Sequence, residues 1–144
     1  MQTEWHHGEY VISTDRDRLD VALIHKFLST EAYWAIGRPR ETVERALRNS
    51  LPFGLFRENL QLAFARVVTD YATFAWLADV FVLPEHRGLG LSKLLLQVIF
   101  SHPNLQGLRR WVLATKDAQE LYRRFGFQEL HSSLDWMEKL NASA

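Results

Sequence analysis

The stretch that most constrains the fold is "TFAWLADVFVL" (73–83), apolar along almost its whole length, with Asp79 as its one charged residue. Without alternation of apolar and polar residues, such a run reads as a strand buried on both faces. A strand of that kind sits in the middle of a sheet and needs helices to cover it. The flanking sequence supplies them. "DRLDVALIHKFLST" (17–30) places Leu19, Leu23, Ile24 and Phe27 on one helical face, and "RPRETVERALRNS" (38–50) does the same with Val43, Ala46 and Leu47, Pro39 suiting its first turn. "LSKLLLQVIFSH" (91–102) repeats the spacing with Leu91, Leu94, Leu95, Val98 and Ile99.

Shorter strands surround these helices. "GEYVIST" (8–14) and "RRWVLAT" (109–115) read as strands, and "FGLFREN" with "LQLAFARVVTD" reads as a hairpin turning at Glu58-Asn59. "DAQELYRRFGF" predicts a helix opened by a capping box of Asp117 and Glu120 and stopped at Gly126. "FQELH" and "LDWME" are expected to close the sheet as two last strands. Hairpins combined with two crossover helices predict an α/β fold with a mixed, partly antiparallel central sheet flanked by helices. The length of 144 residues fits one domain over 1–144.

Composition narrows the function. Lysine plus arginine and aspartate plus glutamate are 17 each, so the formal charge is zero, which argues against a nucleic-acid binder. The chain has no cysteine, which removes disulfides, thiolate metal sites and a cysteine nucleophile. "MQTEWHHGEY" is polar and acidic and does not read as a signal peptide, and no apolar run approaches a bilayer span. A soluble, cytoplasmic protein without a membrane partner is expected. His6 and His7 read as surface residues of a loose terminus, His131 as strand surface. His25 and His86 have no ligand spacing, so no metal is expected.

The apolar strand ends in "LPEHRGLGLS", where Gly88 and Gly90 open a helix that has no acidic residue in its first turn. Glycine permits positive φ and leaves no Cβ between main chain and ligand, and a helix N-terminus offers unpaired N–H groups and a positive dipole end. Together these suit an anion such as phosphate, although a plain strand-to-helix turn asks for glycine too. A dinucleotide fingerprint is excluded, because its third glycine would fall at Lys93, and a Walker A loop is absent.

"VFVLPEHRGLGLSKLLL" resembles the central motif of the GCN5-related N-acetyltransferases, Arg/Gln-x-x-Gly-x-Gly/Ala, with Arg87, Gly90 and Ser92 in its three places. Serine at the last place is a departure. "TKDAQELYRRFGF" is similar to the family's Asn-x-x-Ala-x-x-Leu-Tyr-x-x-x-Gly-Phe, matched by Ala118, Leu121, Tyr122, Gly126 and Phe127, with Thr115 at the asparagine. The resemblance implies a sheet splayed between its fourth and fifth strands with acetyl-CoA in the split and no metal. It implies pyrophosphate on Arg87, Gly88, Leu89, Gly90, Leu91 and Ser92, pantetheine along the main chain of Val80, Phe81 and Val82, and cofactor contacts at Thr115 and Tyr122. It also implies acetyl transfer to a primary amine of a small molecule or peptide by direct attack in a ternary complex. Dimers are frequent in the family, which allows a homodimer.

That chemistry needs an acid for the leaving thiolate and a neutral nucleophile. Tyr122, a phenol protonated at neutral pH, is the candidate acid, the other reading being a helix-face core tyrosine. An alkylamine with pKa near 10.4 costs roughly 4–5 kcal/mol to deprotonate at pH 7. Many relatives use a glutamate on the fifth strand; here that stretch is Arg109-Arg110-Trp111. Asp79 is the substitute candidate, expected to carry a raised pKa inside an apolar strand, against the alternatives of a structural aspartate or a water relay. In "TEAYWAIGRPRE" (30–41), which walls the acceptor site in similar proteins, Tyr33 and Trp34 are candidates to stack on substrate and Arg38 to hold an anion, while Arg40 reads as solvated. The alternative functions are acyl transfer to a hydroxyl, use of a longer acyl-CoA, or a non-catalytic acyl-CoA sensor.

Overall fold

The computed structural model describes residues 2–144, which form two compact units divided after Leu113. The first holds one six-stranded sheet in the order β1-β2-β3-β4-β5-β6, so every strand lies beside its neighbour in sequence. The strands are β1 (Glu4–His7), β2 (Tyr10–Ser13), β3 (Leu51–Arg57), β4 (Leu60–Thr69), β5 (Phe74–Val82) and β6 (Arg110–Val112). Pairing is antiparallel up to β5, and β6 alone is parallel, reached through α3 (Leu91–Ser101). The mixed sheet expected from hairpins plus crossovers is therefore present.

Helices α1 (Val21–Thr30) and α2 (Arg40–Arg48) share one face of the sheet. Ile24, Phe27, Leu28, Val43 and Leu47 meet Phe56, Phe64 and Phe81 there in one apolar cluster. Phe27 stacks on Phe81 with ring centroids 4.1 Å apart, and Phe64 tilts against Phe81 at 5.8 Å. Helix α3 packs on β3, β4 and β5 through buried Leu91, Leu95, Leu96 and Ile99. At its end His102 meets the edge of Phe53, which alternation along β3 turns away from the α1–α2 face.

Several expected elements shift. The terminus read as loose forms β1, in which His6 and His7 pair with Val11 and Tyr10 while their side chains stay exposed. A polar strand gains enough from a tight hairpin onto an apolar neighbour, a signal that composition conceals. Helix α1 begins at Val21 rather than residue 17, because Asp20 caps it by accepting from the Leu23 N–H at 3.0 Å; residues 16–18 form a separate 3-10 turn. Helix α2 keeps Pro39 just outside its first residue.

The second unit holds α4 (Gln119–Arg123). Its expected capping box does not form: the N-terminal residue is Ala118, whose N–H donates to Thr115 Oγ1 at 3.2 Å. The two last strands are also absent, since residues 124–144 contain turns and one 3-10 segment, Ser133–Asp135. Their alternating residues have no buried face to serve, with Leu130, Leu134 and Met137 all exposed, and a strand without ladder partner or buried face is not stable. His131 accordingly lies in exposed turn, not on a strand.

Gly54 gives a sharp test of the α1–α2 face. A Cβ there would stand 2.7 and 2.9 Å from the buried Phe56 ring and 3.0 Å from Leu19. Alanine in a strand normally gains about 0.5–1 kcal/mol over glycine, but overpacking a rigid ring costs about 1–3 kcal/mol. Gly54→Ala is expected to destabilise the protein by about 1–2 kcal/mol net in urea unfolding. A stabilised variant would show that the ring yields.

Candidate active site

The β5–β6 ladder runs only from Phe74–Arg110 to Trp76–Val112. Beyond Trp76, β5 keeps β4 on one side and loses its strand partner on the other. This is the splay expected between the central strand and the next. The main chain from Leu77 to Val82 thus has no strand paired to it on that side. Of the three expected cofactor-edge residues, Val80 and Val82 are half-buried and Phe81 is buried in the α1–α2 cluster. The side chain of Phe81 is a core side chain, so only its main chain is available for pairing.

At the end of β5 the chain makes a 3-10 turn, Pro84–His86, then the glycine turn. Gly88 and Gly90 have φ of +81° and +76°, which side-chain-bearing residues adopt at a cost. A Cβ at either would meet nothing within 4 Å, so the conformation demands glycine and the space in front is open. Gly90 caps α3 without any side-chain hydrogen bond, and no acidic residue stands in the first turn. Leu89 is exposed, Leu91 is buried under the helix and Ser92 is half-buried. Arg87 is exposed and donates from Nε to the Val82 carbonyl at 3.0 Å, tying the turn to the last residue of β5. These residues fit an anion such as pyrophosphate, since open space faces main chain with no acceptor of its own.

Inside β5 the pairing slips. Phe64 faces Phe81 and Arg66 faces Ala78, so Asp79 and Val80 together oppose Ala65 alone. This is a β-bulge, and Asp79 absorbs it at φ +55°, a left-handed conformation that aspartate tolerates better than most residues. The Asp79 side chain is 3% exposed. Its Oδ1 accepts from Trp34 Nε1 at 2.7 Å, and its Oδ2 from Arg66 Nε at 2.6 Å and Arg38 Nη1 at 2.9 Å. Burial pushes the carboxyl pKa up, but the charge and hydrogen bond of Arg66, the charge of Arg38 and the hydrogen bond of Trp34 outweigh it and hold it below the usual range. The expected raised pKa is thus overturned. An apolar strand alone would have raised it; two guanidinium groups reverse the sign.

Three of the expected site residues, Trp34, Arg38 and Asp79, therefore meet. The segment after α1 is fixed in place by Gly37 N–H on Ser29 O, Arg38 N–H on Ala35 O, and His25 Nε2 3.1 Å from the Arg38 carbonyl. It turns Tyr33 and Trp34 outward, 48% and 42% exposed, edge to face at 5.0 Å. Arg40 instead pairs with Glu44 on the outside of α2. Arg66 was missed from sequence, although a lone cation in "LQLAFARVV" asks for a buried anion. In the second unit Tyr122 is buried and meets Phe127 edge to face at 5.9 Å, and Thr115 is occupied as the N-terminal hydrogen-bond acceptor of α4.

Residues 51–129 match the family model described as Acetyltransferase (GNAT) domain, more than half of the chain. The chain belongs to the GNAT acetyltransferase family. It is 35% identical over 140 residues to the curated protein named "Putative acetyltransferase FG08082" from Gibberella zeae, covering 82% of this chain and 78% of that one. It is similar to the crystal structure of a "putative acetyltransferase belonging to the gnat family" from Xanthomonas campestris pv. campestris, with TM-score 0.91, 50% identity, and coverage of 94% and 96% of the two chains. A structure of a "predicted acetyltransferase with acetyl-CoA" from Clostridium acetobutylicum shares the fold at 17% identity and TM-score 0.67, covering 92% and 94%. The fold is thus common to this chain and these two solved structures.

The Asp79 cluster makes a pH prediction. A carboxyl whose pKa is lowered on folding adds stability above its unfolded value, near 3.9, and that contribution is lost as pH falls through the folded value. Asp79→Asn should cost up to about 3–5 kcal/mol at pH 7, because two cations lose their anion. The gap to the parent should shrink as pH falls below about 4. Urea unfolding of both proteins at neutral and acid pH measures it, and a gap that stays constant would mean that the charge of Asp79 contributes nothing.

Proposed function

We propose that this GNAT protein transfers the acetyl group of acetyl-CoA to a primary amine, by direct attack of the amine in a ternary complex. The observation that carries the reading is the end of the β5–β6 ladder at Trp76, which leaves an unpaired strand edge leading into the glycine turn. Acetyl-CoA supplies an activated thioester when bound. The residues suited to hold it are Arg87, Gly88, Leu89, Gly90, Leu91 and Ser92 for the pyrophosphate, and the main chain of Val80, Phe81 and Val82 for the pantetheine. An N–H of that edge, aimed at the thioester oxygen, stabilises the charge that develops there.

In this reading the amine nitrogen bonds to the acetyl carbon, the carbon–sulfur bond breaks, and the thiolate takes the phenolic proton of Tyr122. The role of Tyr122 rests on the Leu-Tyr-x-x-x-Gly-Phe register. One proton of the ammonium leaves before attack, water restores the Tyr122 phenol, and nitrogen gives up its second proton to water as the amide forms. Asp79, already accepting three hydrogen bonds and held ionised, is a poor acceptor for either amine proton.

Coenzyme A at about 100 times its dissociation constant should stabilise the fold by roughly 2.7 kcal/mol, seen as a rise in melting temperature, with much smaller effects from NAD and ATP. Gly90→Val, which forces a branched residue to φ +76° and fills the space before the turn, should abolish the shift. A folded Gly90→Val protein with the full shift would remove the turn from the cofactor site.

Tyr122→Phe keeps the ring and its contact with Phe127. Cofactor affinity should hold while turnover, followed by thiol release, falls about 10²–10⁴-fold. Turnover at the parent rate, with chemistry limiting, would make Tyr122 a core residue.

A further inference from the structure

The Asp79 cluster holds more cation than its anion needs. Arg66 and Arg38 both donate to the same oxygen, Oδ2, which leaves one positive charge in surplus. Only Nε of Arg66 and Nη1 of Arg38 are used, and the remaining N–H groups of both have no protein acceptor among the described residues. Nor are they sealed away, since no buried side-chain nitrogen or oxygen lacks a partner among the described residues. Two guanidinium groups therefore present unsatisfied donors to solvent, with their orientation fixed from behind by a buried carboxylate. A pin between strand and loop requires one cation, and the second arginine goes beyond it.

The surroundings match a small ligand. Trp34 is anchored through its N–H, so its ring stays in place while 42% of the residue is exposed, and Tyr33 stands against it. Asp79 is held in a left-handed conformation that costs roughly 1–2 kcal/mol, and residues held in such conformations concentrate at binding sites. The bulge that Asp79 fills directly precedes Val80–Val82 in the chain.

We infer that Arg38 and Arg66 bind the carboxylate of the acceptor, so that the acceptor is a free amino acid or a similar amine bearing one carboxylate. This rests on the proposed acetyl transfer to an amine and names its substrate class. Asp79 is the positioning residue, and Arg38 and Arg66 determine specificity. The surplus of one charge matches a monoanion; a phosphate monoester, with about −1.5 to −2 at neutral pH, would leave excess negative charge. Planar guanidinium donors suit a carboxylate.

The test uses matched pairs, each amino acid against its own amide, with acetyl-CoA and thiol release as the readout. The amide's amine loses its proton more readily, so that bias runs against the expected result. A preferred amino acid should exceed its amide about 10- to 100-fold in kcat/KM, mostly through KM, as expected for a charged hydrogen bond. Arg38→Gln should bring the ratio toward one, by lowering kcat/KM of the acid far more than that of the amide. A merely structural Arg38 would lower both members of the pair alike. Amides used as well as acids by the parent, a ratio unchanged in folded Arg38→Gln, or O-phosphoethanolamine preferred over every amino acid would each overturn the inference. If Arg38→Gln does not fold, Arg38→Lys keeps the charge without the planar fork and should lower the ratio partway; an unchanged ratio there also overturns it. Thermal stabilisation by the same pairs, with coenzyme A present, reads the carboxylate site without turnover. Thiol release absent for every amine would sink acetyl transfer, whereas equal stabilisation by acid and amide would sink the carboxylate site alone.

Discussion

One extra residue in β5 organises the site. Opposite Ala65 the strand spends two residues, Asp79 and Val80, where its partner spends one. The insertion turns the Asp79 carboxylate toward Arg66 and the α1–α2 segment, while Phe81 still reaches Phe27 and Phe64 in the core. Within three residues the strand thus serves an ion cluster through Asp79 and an apolar cluster through Phe81, both toward the α1–α2 side. Its strained conformation is offset by three hydrogen bonds to one carboxylate.

The splay of the sheet has an equally local origin. Three residue pairs join β5 to β6, and α3 lies between the two strands in sequence. The strand on which most of the site depends is thus bound along its whole length on one side and for three residues on the other. Arg87 adds a tie at the far end by holding the Val82 carbonyl. The edge between those two ties is preformed, because the side chains beside it are already packed.

Much of this was legible in sequence. The unbroken apolar run of 73–83 gave the central strand, the leucine spacing of 91–102 gave α3, and the glycines at 88 and 90 marked the turn, since each signal is local. What was hidden depends on partners far along the chain. The sign of the Asp79 pKa is set by Arg38, 41 residues away, and by Arg66 on the neighbouring strand, so the sequence neighbours of Asp79, all apolar, pointed the wrong way. β1 escaped notice because a polar strand is made by its hairpin partner. The two last strands failed for the opposite reason: their alternation was local, but no buried face exists for it to line.

The strand order carries a consequence for how the chain assembles. Because every strand in β1-β2-β3-β4-β5-β6 lies next to its predecessor, each antiparallel ladder is complete as soon as its second strand has been synthesised. By Val82 the growing chain already contains both sides of four ladders and both helices of one face. Only the parallel strand must wait, for the loop through α3 to close. The meander is the piece able to form on the ribosome, and the β5–β6 ladder is the last part of the sheet to be closed.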